Sequence, residues 1–377
     1  MRIRGTASAV ILVLAACGSQ ASPSTAPASS SAPVATSAPA SASAKPAVSG
    51  AANASAKPAG SAAAAAPAPA SAVATSTGGA IVGTYPAIVT DELPTWLADD
   101  EGIFKKNGLN FSHQYVESST GLAALLAGQS QFYEGGSEAA SAFAQGADLD
   151  VFMVLSPVYP WVLEVSSDIK TATDLKGKKV GVSRFGSASD VGTRLAIKKL
   201  GLDPDKDVSI VQVGSESARI AGLQSGAIQA GVAQPPANFV VEAKGLHPIL
   251  DLAQAKTPGA LGLVATMRTY ANAHRDVVQK FVDSVIQAIA LEKKDEATAT
   301  KVLAKYLKLD DQTLLDKAYK YYVGEVLPDY PYPVTDWIAD TVTVVGKENP
   351  KMAQTDFSKM IDRSFVEDAQ KRGQAGK

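Results

Sequence analysis

From residue 80 onward, short runs of aliphatic and β-branched residues alternate with longer segments whose apolar positions recur every three or four residues, the pattern of βαβ units. Strands are predicted at 81–85, 109–116, 131–133, 150–155, 161–165, 179–183, 208–213, 230–233, 247–250 and 262–267. Helices are predicted to begin near Pro94, Thr120, Ser137, Ser187, Ser215 and Pro236, each at a capping residue or at a proline suited to a first turn. Beyond Met267 the pattern turns helical. Val278, Phe281, Val282, Val285, Ile286 and Ile289 share one face of an amphipathic helix, followed by helices at 297–306, 312–322, 335–345 and near 362–370. No segment repeats at a fixed period, which excludes solenoids and propellers.

The first residues follow another pattern. Arg2 and Arg4 precede an apolar run at 7–14 that is too short to span a bilayer, the arrangement of an export signal. It ends in Leu14-Ala-Ala-Cys-Gly18, which resembles the lipobox of bacterial lipoproteins. The resemblance implies a signal peptide over 1–17 and lipidation of Cys17, which anchors the protein at a bacterial membrane, at the cell surface or in the periplasm. Residues 18–79 are about three-quarters Ala, Ser and Pro, with no aromatic and no acidic residue, and bury too little to offset their ordering entropy. They read as a disordered tether reaching roughly 45 Å.

Composition narrows the function. The chain has 377 residues with 35 basic and 37 acidic side chains, and its net charge of -2 argues against a nucleic-acid partner. One cysteine and three histidines exclude a disulfide framework, a zinc finger and an iron-sulfur cluster. Roughly 300 residues remain to fold once the leader and tether are set aside, more than one core usually organises, so two lobes are expected.

The run Leu93-Pro-Thr-Trp-Leu-Ala-Asp-Asp-Glu-Gly-Ile-Phe-Lys-Lys-Asn-Gly-Leu109 resembles the opening of substrate-binding proteins of the nitrate, taurine and alkanesulfonate class of ABC importers, the SsuA/THI5-like or NMT1-like family. Leu122-Ala-Ala-Leu-Leu-Ala-Gly-Gln129, Glu134-Gly-Gly-Ser137 and Thr173-Asp-Leu-Lys-Gly-Lys-Lys-Val-Gly-Val182 resemble that family in the same order, over about residues 80–345. The resemblance implies an α/β, type 2 periplasmic-binding-protein fold: two α/β lobes, two interlobe crossings and a helical C-terminal region. The first lobe is expected at 80–165 plus 259–377 and the second at 166–258, with 166–168 and 254–258 as hinge strands or their edges.

Ligands of open α/β sheets bind beyond the carboxyl ends of the strands, which points to Thr90, Asp91, Glu92, Trp96, Glu134, Ser137 and Ser156 from the first lobe. Ser183, Arg184, Phe185, Ser187, Ser189 and Gln234 are the second-lobe candidates. Ser187 and Ser189 open a helix whose free N–H groups suit a carboxylate, sulfonate or phosphate, and Arg184 adds a bidentate donor. The alternative is that Ser187 only caps its helix and Arg184 faces solvent. Asp91, Glu92 and Glu134 suit a cationic or amine-bearing ligand instead, although loop acids are commonly solvated. Trp96 and Phe185 either present a ring to the cleft or pack in a core, and Trp161 either does so or packs beside the crossing.

Other signals fade. Asp203-Pro-Asp-Lys-Asp207 lacks the glycine and bidentate glutamate of a calcium loop. His113, His247 and His274 form no i,i+4 pair, so neither a metal nor a cofactor is expected. The expected function is capture of a small organic or oxyanion solute, delivered by a monomer to an ABC permease and its ATPase. A THI5-like pyrimidine-precursor synthase-type enzyme and a ligand sensor for a membrane receptor are the alternatives. Those synthases carry a cysteine-rich motif, whereas no cysteine lies beyond Cys17, and no catalytic residue is assigned.

Overall fold

The computed structural model describes residues 79–346 and 349–374; the export signal, Cys17 and the tether up to residue 78 lie outside the described residues. The first lobe is laid down as β1 (Ile81–Tyr85), α1 (Leu93–Asp100), α2 (Ile103–Lys106), β2 (Phe111–Tyr115), α3 (Ser118–Leu126), β3 (Phe132–Gly135), α4 (Ser137–Ala144) and β4 (Leu149–Val158). The second follows as β5 (Val162–Val165), β6 (Lys179–Val182), α5 (Ala188–Lys199), β7 (Ser209–Gln212), α6 (Glu216–Ser225), β8 (Ala230–Ala233), α7 (Ala237–Glu242) and β9 (His247–Asp251). The chain then returns through β10 (Pro258–Met267) and α8 (Arg268–Ala273) into α9 (Arg275–Lys294), α10 (Glu296–Leu307), α11 (Gln312–Tyr321), α12 (Ile338–Val345) and α13 (Ser364–Lys371).

The two sheets have matching orders, β2-β1-β3-β10-β4 and β7-β6-β8-β5-β9. In the first, β1 lies parallel between β2 (Gly83 opposite His113) and β3 (Gly83 opposite Phe132), and β10 runs antiparallel to β3 and β4. In the second, β6 lies parallel between β7 and β8, and β5 runs antiparallel to β8 and β9. Strands covered on both faces lose the alternation of half-exposed ones. Residues 149–156 of β4 are accordingly buried without interruption. Phe281 of α9 stacks on Phe132 of β3 with centroids 4.5 Å apart and anchors an aromatic core that includes Phe104, Phe111 and Phe152.

Pairing of β5 with β8 and β9 corrects the expected first crossing. Residues 162–165 belong to the second sheet, so the chain crosses between Val158 and Val162 and residues 166–168 are not a hinge. An apolar run buried on both sides reads as a strand whichever sheet receives it, which is why its partner was not legible. The return crossing lies between Asp251 and Pro258, and the two crossings bond to each other: Tyr159 N–H donates to Thr257 O at 3.0 Å and Leu252 N–H to Trp161 O at 2.9 Å. The C-terminal region is also not confined to the first lobe. Helix α12 packs on α5 as well as on α4, and Trp337 and Ile338 join a core shared with Leu163 and Val180.

Candidate ligand-binding site

The carboxyl ends of β1 and β8 face each other across the lobes. After β1, Val89 is extended and residues Thr90–Glu92 form one 3-10 turn leading into α1, whose start carries Pro94. This turn brings Thr90 and Asp91 to the second lobe. Thr90 Oγ1 donates to Pro235 O at 2.7 Å, and Gln234 Nε2 donates to Asp91 Oδ1 at 3.4 Å. Gln234 N–H in turn donates to Glu216 Oε1 at 2.8 Å. Behind Asp91, Tyr322 Oη donates to its carbonyl at 3.1 Å and stands 3.0 Å from Ser156 Oγ, so the serine donates within that pair. Burial pushes the Asp91 carboxyl up to about 7, and the carboxylates of Glu216 and Glu134 add to the rise.

The structure therefore brings Thr90, Asp91, Ser156 and Gln234 together, with Tyr322, Glu216 and the Pro235 carbonyl as members that sequence reasoning missed. Tyr322 comes from the turn following α11, far along the chain, and gives no local signal. Ser137 is the first residue of α4, buried, with its hydroxyl unpartnered.

The anion pocket expected at the start of α5 is already occupied by the chain itself. Ser187 caps the helix, its hydroxyl accepting from Asp190 N–H, while Gly186 N–H donates to Asp190 Oδ2 at 2.9 Å and Ser183 N–H to Ser189 Oγ at 2.9 Å. A carboxylate inside the first helical turn takes up the partial positive charge a ligand anion would use. Asp190 in turn holds Arg194 at 2.8 Å. Arg184 is half-exposed and reaches Glu138 across the lobes at 3.4 Å, so it is not a free anion donor. The buried cation nearby is Arg219, unforeseen in the sequence, which donates to Ser183 Oγ at 2.6 Å and to Val232 O at 3.2 Å. Its place in the first turn of α6, one turn after the Ser215 cap, was the available signal.

Trp96 and Trp161 are packed in the interior, and Phe185 is exposed. Trp96 is fully buried, stacked on Tyr306 at 4.4 Å, because α1 turns this face onto the first-lobe core. Phe185 is 43% exposed on a surface turn. Trp161 packs beside the crossing, stacked on Tyr159 at 5.0 Å.

Glu92 and Glu134 turn away from Asp91 and meet His113 beneath α1, with one ligand atom of each within 4.8 Å of the others. Burial and the Glu134 carboxylate hold Glu92 well above its ordinary range. Burial acts on Glu134 as well, but the adjacent imidazole, together with hydrogen bonding from the Glu92 carboxyl and Thr95, outweighs it and leaves that carboxyl below its ordinary value. Strand periodicity alone did not reveal this cluster, since its members come from three separate elements.

The model of the NMT1/THI5-like family matches residues 89–298. No curated protein sequence matches the chain. Among solved structures, the periplasmic aliphatic sulphonate binding protein SsuA from Escherichia coli is 21% identical, with a TM-score of 0.61 over 75% of this chain and 91% of its own. The alkanesulfonate-binding protein SsuA from Xanthomonas axonopodis pv. citri, bound to MOPS, is 19% identical, with a TM-score of 0.58 over 77% and 96%. The periplasmic nitrate-binding protein NrtA from Synechocystis PCC 6803 is 14% identical, with a TM-score of 0.61 over 78% and 88%. These likenesses establish the periplasmic-binding-protein fold.

Proposed function

The chain belongs to the NMT1/THI5-like family, and on that premise we propose that it is the extracytoplasmic solute-binding component of an ABC importer. It captures a small solute between its lobes and hands it, unchanged, to a permease and its ATPase. The observation that carries this reading is the meeting of polar groups from both lobes at the carboxyl ends of their strands, Thr90 with the Pro235 carbonyl and Asp91 with the Gln234 side chain. Structural neighbours named for binding sulfonates and nitrate support it. A synthase-type activity is disfavoured because no cysteine lies beyond Cys17.

The charge of the site favours a neutral or amine-bearing solute. Asp91 and Glu216 converge where the lobes touch, Arg219 beside Glu216 is committed to Ser183 Oγ and Val232 O, and the start of α5 is filled by Asp190. The lipobox-like Leu14-Ala-Ala-Cys-Gly18 supports a lipid anchor at Cys17, with the protein acting as a monomer outside the cytoplasmic membrane. Among the described residues no helix is long and apolar enough to cross a membrane.

The test is a thermal-shift panel of sulfonates, nitrate, bicarbonate, pyrimidines and amines on the full chain. One class is expected to raise the melting temperature and to be recovered chemically unchanged; conversion to a product contradicts capture. Asp91→Asn is expected to weaken an amine-bearing ligand about tenfold, equivalent to about 1.4 kcal/mol. An oxyanion ligand unaffected by that change overturns the charge assignment. For the anchor, Cys17→Ser should shift the protein from the membrane to the soluble fraction, and retention in the membrane contradicts lipidation.

A further inference from the structure

We infer that Glu92, His113 and Glu134 form a buried site for a divalent transition-metal ion of the zinc type, which ties the turn carrying Thr90 and Asp91 to strands β2 and β3. The three residues come from the turn before α1, from β2 and from the end of β3, and one donor atom of each lies within 4.8 Å of the other two. His113 and Glu134 side chains are 3% and 2% exposed, and Glu92 is 1% exposed.

What points to a cation is that the two carboxyls and the imidazole face mainly one another, with several of their buried donor atoms left without a well-aligned hydrogen bond. Glu92 Oε2 and both ring nitrogens of His113 make no hydrogen bond. His113 Nε2 only approaches Glu134 Oε1, at 3.1 Å, without hydrogen-bond alignment. Thr95 Oγ1 donates to the Glu92 carbonyl at 2.9 Å, so its single proton is committed and its 3.5 Å approach to Glu134 Oε2 adds little. Among the described residues, no lysine or arginine pairs with either carboxylate. Burying three ionisable side chains together is expensive unless a shared proton or a cation balances them. A divalent ion held by two carboxylates and a neutral imidazole is electrically balanced.

The ligand set fits the ion. Zinc takes imidazole nitrogen and carboxylate oxygen at roughly 2.0–2.2 Å, so tetrahedral donors stand about 3.4 Å apart, within small side-chain motions of the present spacing. Tyr85, whose ring centroid lies 4.3 Å from that of His113, walls the cluster, and Glu92 directly follows the residue that meets Gln234. An ion here fastens three first-lobe elements at the point where they present Asp91 to the second lobe. The inference does not depend on which solute the cleft takes.

The experiment uses the full chain, stripped with chelator and dialysed against zinc ions. About one zinc per chain is expected to remain, with a raised melting temperature, and His113→Gln and Glu134→Gln are each expected to lose the ion. X-ray absorption at the zinc edge of the wild-type protein should show nitrogen and oxygen ligands with one imidazole and no sulfur, a readout independent of how the variants fold. Absence of stoichiometric zinc, retention in either variant, two or more imidazoles, or a sulfur ligand from Cys17 would each overturn the assignment.

Discussion

Glu164 shows at the scale of one residue how the second lobe reports on its own burial. Its side chain lies fully buried on β5, and burial pushes its carboxyl up to about 8, with the Glu242 carboxylate adding to the rise. A carboxyl raised in the folded state keeps its proton where the unfolded chain has lost it. The stability contributed by Glu164 therefore falls as pH rises from about 4.5 towards about 8 and is level above that. Glu164→Gln removes the burden, so the variant should melt higher than wild type at pH 9, by on the order of 4 °C, and close to it at pH 4. A pH-independent difference in melting temperature would contradict this. The same scale shows what a sequence conveys about a site. That Thr90, Asp91 and Gln234 lie where the lobes meet was legible because strand ends in an α/β sheet mark that face. The pairing of Arg184 was not legible, because nothing local told that Asp190 fills the helix start and that Glu138 stands across the lobes.

Elements add constraints that single residues do not carry. Strand α/β alternation and helix starts at Ser137, Ser187 and Ser215 follow directly from apolar runs and capping chemistry, and the structure begins or caps helices at each. The short helices α2 and α8 went unread because four to six residues give too little periodicity and, unlike α7 with Pro236, neither opens on a start signal. The sheet to which β5 belongs was unreadable for a different reason: pairing is a long-range choice. That choice places Trp161 against α5, where a Cβ added at Gly192 would sit 2.4 Å from Trp161 Cε3. Gly192 is thus fixed by close approach of helix and indole. Gly192→Ala should cost about 1–3 kcal/mol in denaturant unfolding. Combined with Trp161→Leu, the loss should be smaller than the sum of the two single losses; strict additivity would show that the two residues do not share a contact.

At the scale of the molecule, two lobes joined by two adjoining crossings can rotate, and the contacts from Thr90 to Pro235, Asp91 to Gln234 and Tyr321 to Asp251 hold them together in this structure. Helix α12 braces both lobes, since it packs on α4 and α5, so closure must carry it along or slide it. A solute shifts such an equilibrium only by its differential affinity: about 5.5 kcal/mol moves the closed fraction from 1:99 to 99:1. Small-angle scattering of the full chain, with and without the solute that raises its melting temperature, measures that shift directly. Capture by closure predicts a smaller radius of gyration when the solute is bound. An unchanged radius at saturation would contradict it.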